Sequence, residues 1–309
     1  MNEIFTLALL FSTLRQTTPI LLTALGGLFS ERSGVVNIGL EGMMLFGALA
    51  AAVVTQRLEV PFLASDPNAQ VWWVPWVGLL AGAVVGGLVA LVHAVASIRY
   101  KADQIISGTA INLLALGAPS LVLEYYYDNS TSSQEVVNRL PLIPVGSENL
   151  SPLVLLAFLL VPAIWWLLFK TPWGLRLRAV GEHPEAAETM GINVIRTRYI
   201  AVVISGVLAG VAGSYLSIGF LNQFVKGMSA GLGFIALAAL IVGKWHPIGI
   251  LGSTLLFGFA SALSIQLTGR NILPVPVVQA IPFVLTMLVL VGFIGRSRPP
   301  AAVGKPYDR

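Results

Sequence analysis

The sequence predicts an all-α, polytopic transmembrane helical bundle of about 8–10 spans with a short cytoplasmic helix. Three observations carry that prediction. Hydrophobic residues make up 56% of the 309 positions and charged residues only 10%, against about 25% charged in a soluble domain. The mean hydropathy is +0.83, too high for a disordered chain or for a globule that covers its surface with charge. Basic residues are unevenly shared between alternate loops, as membrane topology requires.

Apolar runs long enough to cross a bilayer fall at 4–29, 34–56, 74–98, 103–124, 151–169, 199–220, 229–245, 248–267 and 277–295. Backbone polar groups in lipid must be satisfied within the segment, so these runs read as helices. The alternating ten-residue segments of a β-barrel are absent from the sequence. The whole chain, 1–309, reads as one transmembrane domain. Residues 1–14 lack the charged region and cleavage site of a signal peptide.

Orientation follows from the loops. With 170–199 on the cytoplasmic side, Arg32, Arg99, Lys101, Lys170, Arg176, Arg178, Arg196, Arg198, Lys244, Arg296, Arg298, Lys305 and Arg309 fall inside. Arg57, Arg139, Lys226 and Arg270 fall outside. This places the N-terminus outside and the tail 296–309 inside. The same asymmetry accounts for the net charge of +4, so no nucleic-acid partner is expected. Trp72, Trp73 and Trp76, and Tyr125, Tyr126 and Tyr127, sit where aromatic residues gather at the membrane boundary.

Small residues at helical spacing, Gly78, Gly82, Gly86 and Gly87 in one span and Gly206, Gly210 and Gly213 in another, predict close helix packing. Leu40–Val53 and Gly231–Gly243 share an Ala/Leu/Gly texture that either echoes an internal repeat or reflects composition alone.

Ionisable and amide groups inside spans need a reason, because a charge at the bilayer centre costs about 2.5–3.5 kcal/mol on insertion scales. Glu41 is expected about 10 Å into the second span, with Asn37 on the same helix face. Glycines around them weaken that helix. Gln104, Ser107 and Asn112 lie on the fourth span. These five residues either line a substrate pathway or hydrogen-bond between helices. Asp103 is expected to serve the N-terminus of the fourth helix. Arg15 either pairs with Glu41 or sits at the membrane edge, with the helix restarting near Pro19. The latter is the favoured expectation.

The segment 170–199 holds eight of the 32 charged residues. Within it, Pro184 suits a helix start, Glu185 complements the first turn and Gly191 suits a stop. Glu182, Pro184, Glu185, Ala186, Ala187, Met190 and Gly191 form a capped helix of about two turns, too short to be stable alone. Its apolar strip of Ala186, Ala187 and Met190 suggests docking onto a partner.

Here the chain resembles a known family. Glu185-Ala186-Ala187, followed by Gly191, is similar to the start of the signature of ABC-importer permeases; the Ile and Leu-Pro that follow in the longer signature are missing. Glu31 to Met44 resembles the permeases for branched-chain amino acids and simple sugars. Arg99 to Asn112, Gly174 to Val194, Gly243 to Pro247 and Gly292 to Arg296 are similar to the nucleoside branch of that family. The resemblance runs from about Pro19 to Tyr307. It implies a bacterial cytoplasmic-membrane subunit that imports nucleosides. ABC ATPase subunits would dock on the 182–191 helix, beside a second permease, identical or paralogous. An extracytoplasmic binding protein would supply the substrate.

No phosphate-cradling G-x-x-x-x-G-K-[ST] loop occurs, so ATP is expected on partner subunits and no cofactor in this chain. No enzymatic constellation is visible, and His93, His183 and His246 lack metal-ligand spacing. The alternatives are a gradient-driven transporter using Glu41 and Asp103, or an ABC importer for simple sugars.

Overall fold

In the computed structural model, residues 7–146, 148–269, 274–292 and 298–308 are described. In chain order the helices are α1 (Leu7–Arg32), α2 (Leu40–Leu63), α3 (Val74–Ala94), α4 (Gln104–Tyr127), α5 (Pro152–Lys170), α6 (Pro172–Glu182), α7 (Pro184–Thr189), α8 (Val194–Ser214), α9 (Leu232–Val242), α10 (Pro247–Gly269) and α11 (Val275–Gly292). α3 and α8 each run on as a wider π-helical turn, Val95–Arg99 and Tyr215–Leu221. A two-stranded hairpin, β1 (Ile143–Val145) and β2 (Glu148–Leu150), pairs antiparallel before α5. The helices α2, α3, α4, α5, α8 and α10 are each long and apolar enough to cross a membrane. The chain is a multi-pass helical membrane protein.

Local chemistry sets the helix starts. Asp103 accepts the N–H groups of Ile105 at 2.8 Å and Ile106 at 3.0 Å, capping α4 as expected. Ser151 before Pro152, and Thr171 before Pro172, pair a capping hydroxyl with a proline at the first helical position. Asn193 caps α8 through the Arg196 N–H at 2.9 Å.

α1 is the central helix. From Thr17 to Glu31 every residue is buried, and Ile20, Leu21, Leu22, Leu25 and Leu28 join Leu240 and Phe257 in the largest apolar cluster. Beside it, α2, α3 and α8 pack on one another with almost no side chain between them. A Cβ on Gly47 would lie 2.5 Å from Gly210 Cα, and one on Gly86 2.8 Å from the same atom. A Cβ on Gly210 or Gly206 would collide with the carbonyl oxygen of Gly82 or Gly86. The two glycine runs read from the sequence therefore face each other, and backbone contact there replaces side-chain interdigitation.

Several expectations are corrected. The run at 229–245 contains one helix of 11 residues, about 16 Å long, which is half a span; the preceding residues descend from the outer end as irregular chain. The run at 34–56 forms a helix only from Leu40, and that helix continues to Leu63. α1 does not restart at Pro19 but passes through it unbroken, buried among its neighbours from Thr17 onward. Arg15 pairs with Glu148 at 2.8 Å and the Asn149 carbonyl at 2.7 Å, not with Glu41. The segment 170–199, which reads from the sequence as a loop with one short helix, holds α6 as well: Gly174, Leu177, Val180 and Gly181 face inward and Leu175, Arg176 and Glu182 outward, and the two glycines weaken the helical signal. The expectations for Arg270, Arg296, Arg309 and the closing 293–296 motif lie outside the described residues.

The ends sort as the charge rule requires. Arg32, Lys101, Arg198 and Lys305 meet Glu182, Asp308 and the 298–308 segment at one end. At the other end the outer segment 125–149 is tied down. Buried Glu59 accepts the N–H groups of Val137 at 3.1 Å and Asn138 at 2.8 Å. The Leu140 N–H reaches the Ile218 carbonyl at 3.1 Å. Trp72 and Tyr125 remain largely exposed, as boundary aromatics do.

Candidate functional site

The site begins at the gap between α1 and α2. Residues 33–39 are not helical, and Gly34 takes a φ of +93°, a conformation that favours glycine. A break inside an apolar bundle exposes backbone groups that a helix would have satisfied. Side chains of α3, α4 and α8 satisfy them instead. Gln104 Oε1 accepts the Val36 N–H at 2.6 Å. Asn112 Oδ1 accepts the Gly42 N–H at 2.8 Å, while its Nδ2 donates to the Ile38 carbonyl at 2.9 Å. His93 bridges the Val36 carbonyl at 2.9 Å and the Ser107 hydroxyl at 3.0 Å. Asn37 is fully buried; its Nδ2 donates to Ser205 Oγ at 2.9 Å, and its Oδ1 has no partner among the described residues. The backbones come close enough for this because α4 presents Gly108, where a Cβ would lie 2.8 Å from Gly39 N.

A second break, 222–231, precedes α9. The two breaks meet at Glu41. Its carboxylate accepts Ser229 Oγ at 2.5 Å, the Gly231 N–H at 2.9 Å and the Gly233 N–H at 2.6 Å. Glu41 lies in the first turn of α2 and also stands at the N-terminus of α9, where a negative charge is favoured. The cost of burying a carboxylate is offset by three donors. The two Ala/Leu/Gly segments of similar texture are thus the two helices that begin here. Asn37, expected on the same helix face as Glu41, instead precedes the helix.

The bridging role of His93 does not follow from its lack of metal-ligand spacing; its place in an apolar span is the sequence signal for it. The role of Glu31 likewise does not follow from the sequence pattern. The Trp245 indole donates to the Glu31 carboxylate, and Arg32 donates to the Trp245 carbonyl at 2.6 Å and 3.0 Å. These bonds join the C-terminal end of α1 to the α9–α10 turn.

The third part of the site is α7. It is bounded by His183 and by Gly191, whose φ is +80°, so the expected glycine stop is in place. Its strip divides differently from the expectation. Ala187, 4% exposed, turns inward onto Val180 and Val194. Met190, 82% exposed, and Ala186 and Glu185 face outward. Spacing assigned all three apolar residues to one strip, but Ala187 alone is needed to seat the helix on its own chain.

Interrupted helices that meet at one buried carboxylate, in a bundle that also presents a short helix at its basic end, are features found in membrane transporters. The chain belongs to the branched-chain amino acid transport system / permease component family, whose model matches residues 9–290. It is 45% identical to the guanosine ABC transporter permease protein NupQ of Bacillus subtilis, over 96% of this chain and 95% of that one. It is 40% identical to the nucleoside ABC transporter permease protein NupC of Lactococcus lactis, over 99% of each. A Haloferax volcanii permease provisionally named for glucose, TsgC13, is 38% identical over 85% of this chain and 78% of its own.

Proposed function

We propose that this chain is the membrane-spanning permease of an ATP-binding-cassette importer that carries nucleosides inward across a bacterial cytoplasmic membrane. The observation that carries the reading is α7: a capped helix seated by Ala187 that offers Glu185, Ala186 and Met190 at the end rich in basic residues. ATPase subunits would dock there together with Glu182, Pro184 and Gly191. Their approach on binding ATP would move α7 and rock the helices attached to it. A second permease would complete the path, and an external binding protein would deliver substrate. Near full-length similarity to two permeases named for nucleosides supports the substrate class.

Asn37, Gln104, Ser107, Asn112 and Glu41 act in this reading as the frame of the two breaks beside the pathway. A gradient-driven mechanism would need Glu41 or Asp103 to exchange protons or cations, yet both carboxylates carry structural hydrogen bonds. The substrate assignment is tested by competition. Uptake of labelled guanosine by cells carrying the complete system should fall with excess unlabelled nucleosides and be unaffected by glucose. Inhibition by glucose alone would move the assignment to sugars.

A further inference from the structure

The segment 298–308 is a strap laid across the cytoplasmic end. The Ala302 N–H donates to the Gly181 carbonyl at 2.9 Å, and the Gly304 N–H to the Gly34 carbonyl at 3.2 Å. The Ala301 N–H reaches Glu182 at 3.2 Å. Further along, the Tyr307 hydroxyl donates to Glu188 of α7, and Lys101 pairs with Asp308. The strap and α7 border an open cleft of about 470 Å³ whose lining includes His183, Glu185, Arg198, Lys305 and Tyr307.

Arg198, on α8 and 2% exposed, is the joint beneath it. Its guanidinium carbon stands 5.7 Å from the centre of the Tyr307 ring. Its Nη1 donates to the Lys305 carbonyl at 3.3 Å, and its Nε to the Ser33 carbonyl at 3.1 Å. Nη2 is buried without a partner among the described residues. A Cβ on Gly34 would lie 2.8 Å from it. One guanidinium therefore grips the strap and the start of the first break together, and its Nη2 amino group is left without a partner among the described residues. A buried unmet donor calls for a physical explanation, and a joint that re-pairs when the complex changes state supplies one.

We propose that Tyr307 and Arg198 are positioning residues that carry the displacement of α7 to the 33–39 break: Glu188 moves Tyr307, the strap moves Arg198, and Arg198 moves Ser33 and Gly34. The path is continuous and each link is a contact. The inference rests on the importer reading above, because it needs an ATPase to displace α7.

The test uses the assembled complex in lipid nanodiscs and proteoliposomes. It reads ATP hydrolysis, its stimulation by nucleoside-loaded binding protein, and nucleoside taken up per ATP. Tyr307→Ala should keep the ATPase subunits bound and basal hydrolysis within about twofold of the parent, while uptake per ATP falls about fivefold or more. Tyr307→Phe keeps the ring on Arg198 and loses the hydroxyl's bond to Glu188. It should fall by about two- to threefold, less than Tyr307→Ala. A Tyr307→Ala complex with unchanged uptake per ATP overturns the proposal. So does a loss in which uptake and hydrolysis fall by one factor alongside a lower melting temperature, the mark of a strap that only stabilises. A parent complex with no ATP-driven uptake overturns the importer reading and the strap with it, which separates the two failures.

Discussion

The Glu41 carboxylate accepts the Gly233 N–H at 2.6 Å across 192 positions of sequence, and so joins the first turn of α2 to the first turn of α9. With Ser229 and Gly231 as its other donors, it is the point where both interrupted helices are held. Glu41→Ala would leave these donors unmet, at about 1–3 kcal/mol each. The expected result is a melting temperature many degrees lower in detergent, measured by intrinsic fluorescence. Glu41→Gln, which keeps one acceptor, should melt in between and retain ATP-driven uptake. Abolished uptake in a well-folded Glu41→Gln variant would favour a role in ion coupling.

The glycine seam should tolerate no added side chain. At Gly210 a Cβ meets the carbonyl of Gly82 and backbone atoms of Ala83, so α3 and α8 would have to separate. Gly210→Val should prevent recovery of monodisperse protein by size-exclusion chromatography, since overpacking costs about 1–3 kcal/mol or more. Gly117→Ala, where nothing lies within 4 Å, should be recovered like the parent.

Much of this architecture was legible in the sequence. The apolar runs, the glycine faces, the Asp103 cap, the Gly191 stop and the sorting of basic residues to one end all rest on local pattern, and each is found. The breaks were less legible. A stretch such as 34–39 is apolar enough to pass as helix, and only its glycines hint otherwise. What stabilises the irregular backbone comes from Gln104, Asn112 and His93, roughly 50 to 75 positions away, through contacts that periodicity does not encode. Arg198 and Tyr307 were read only as an inside charge and as the limit of a resemblance, because their meaning depends on where the C-terminal segment lies.

The inward turn of Ala187 separates folding from docking. Met190→Glu and Ala186→Glu lie on the outward face of α7 and should leave the melting temperature unchanged. Each should reduce ATPase recovered in a pull-down by about tenfold, a loss typical of a central interface residue. Ala187→Arg should instead lower the melting temperature, because it forces a charge onto Val180 and Val194.

The α9–α10 turn carries a pH dependence. Burial, and then the nearby Arg32 guanidinium, hold the His246 imidazole below its ordinary value. The unfolded chain therefore takes up a proton first as pH falls. The stability contributed here is complete at neutral pH and declines as pH drops through about 6.5 toward the depressed folded value. Melting curves should show a loss below about pH 6.5 that His246→Phe reduces, the new ring keeping the tilted contact with Phe169. An identical pH profile in the variant would assign the acid loss elsewhere.

The most direct test of the permease account is a gentle detergent pull-down of the tagged chain, followed by uptake in proteoliposomes of whatever is recovered. The account predicts an ABC ATPase in the eluate and nucleoside uptake that requires ATP and survives a protonophore. Recovery of the chain alone, with uptake that collapses on adding the protonophore and ignores ATP, would contradict it.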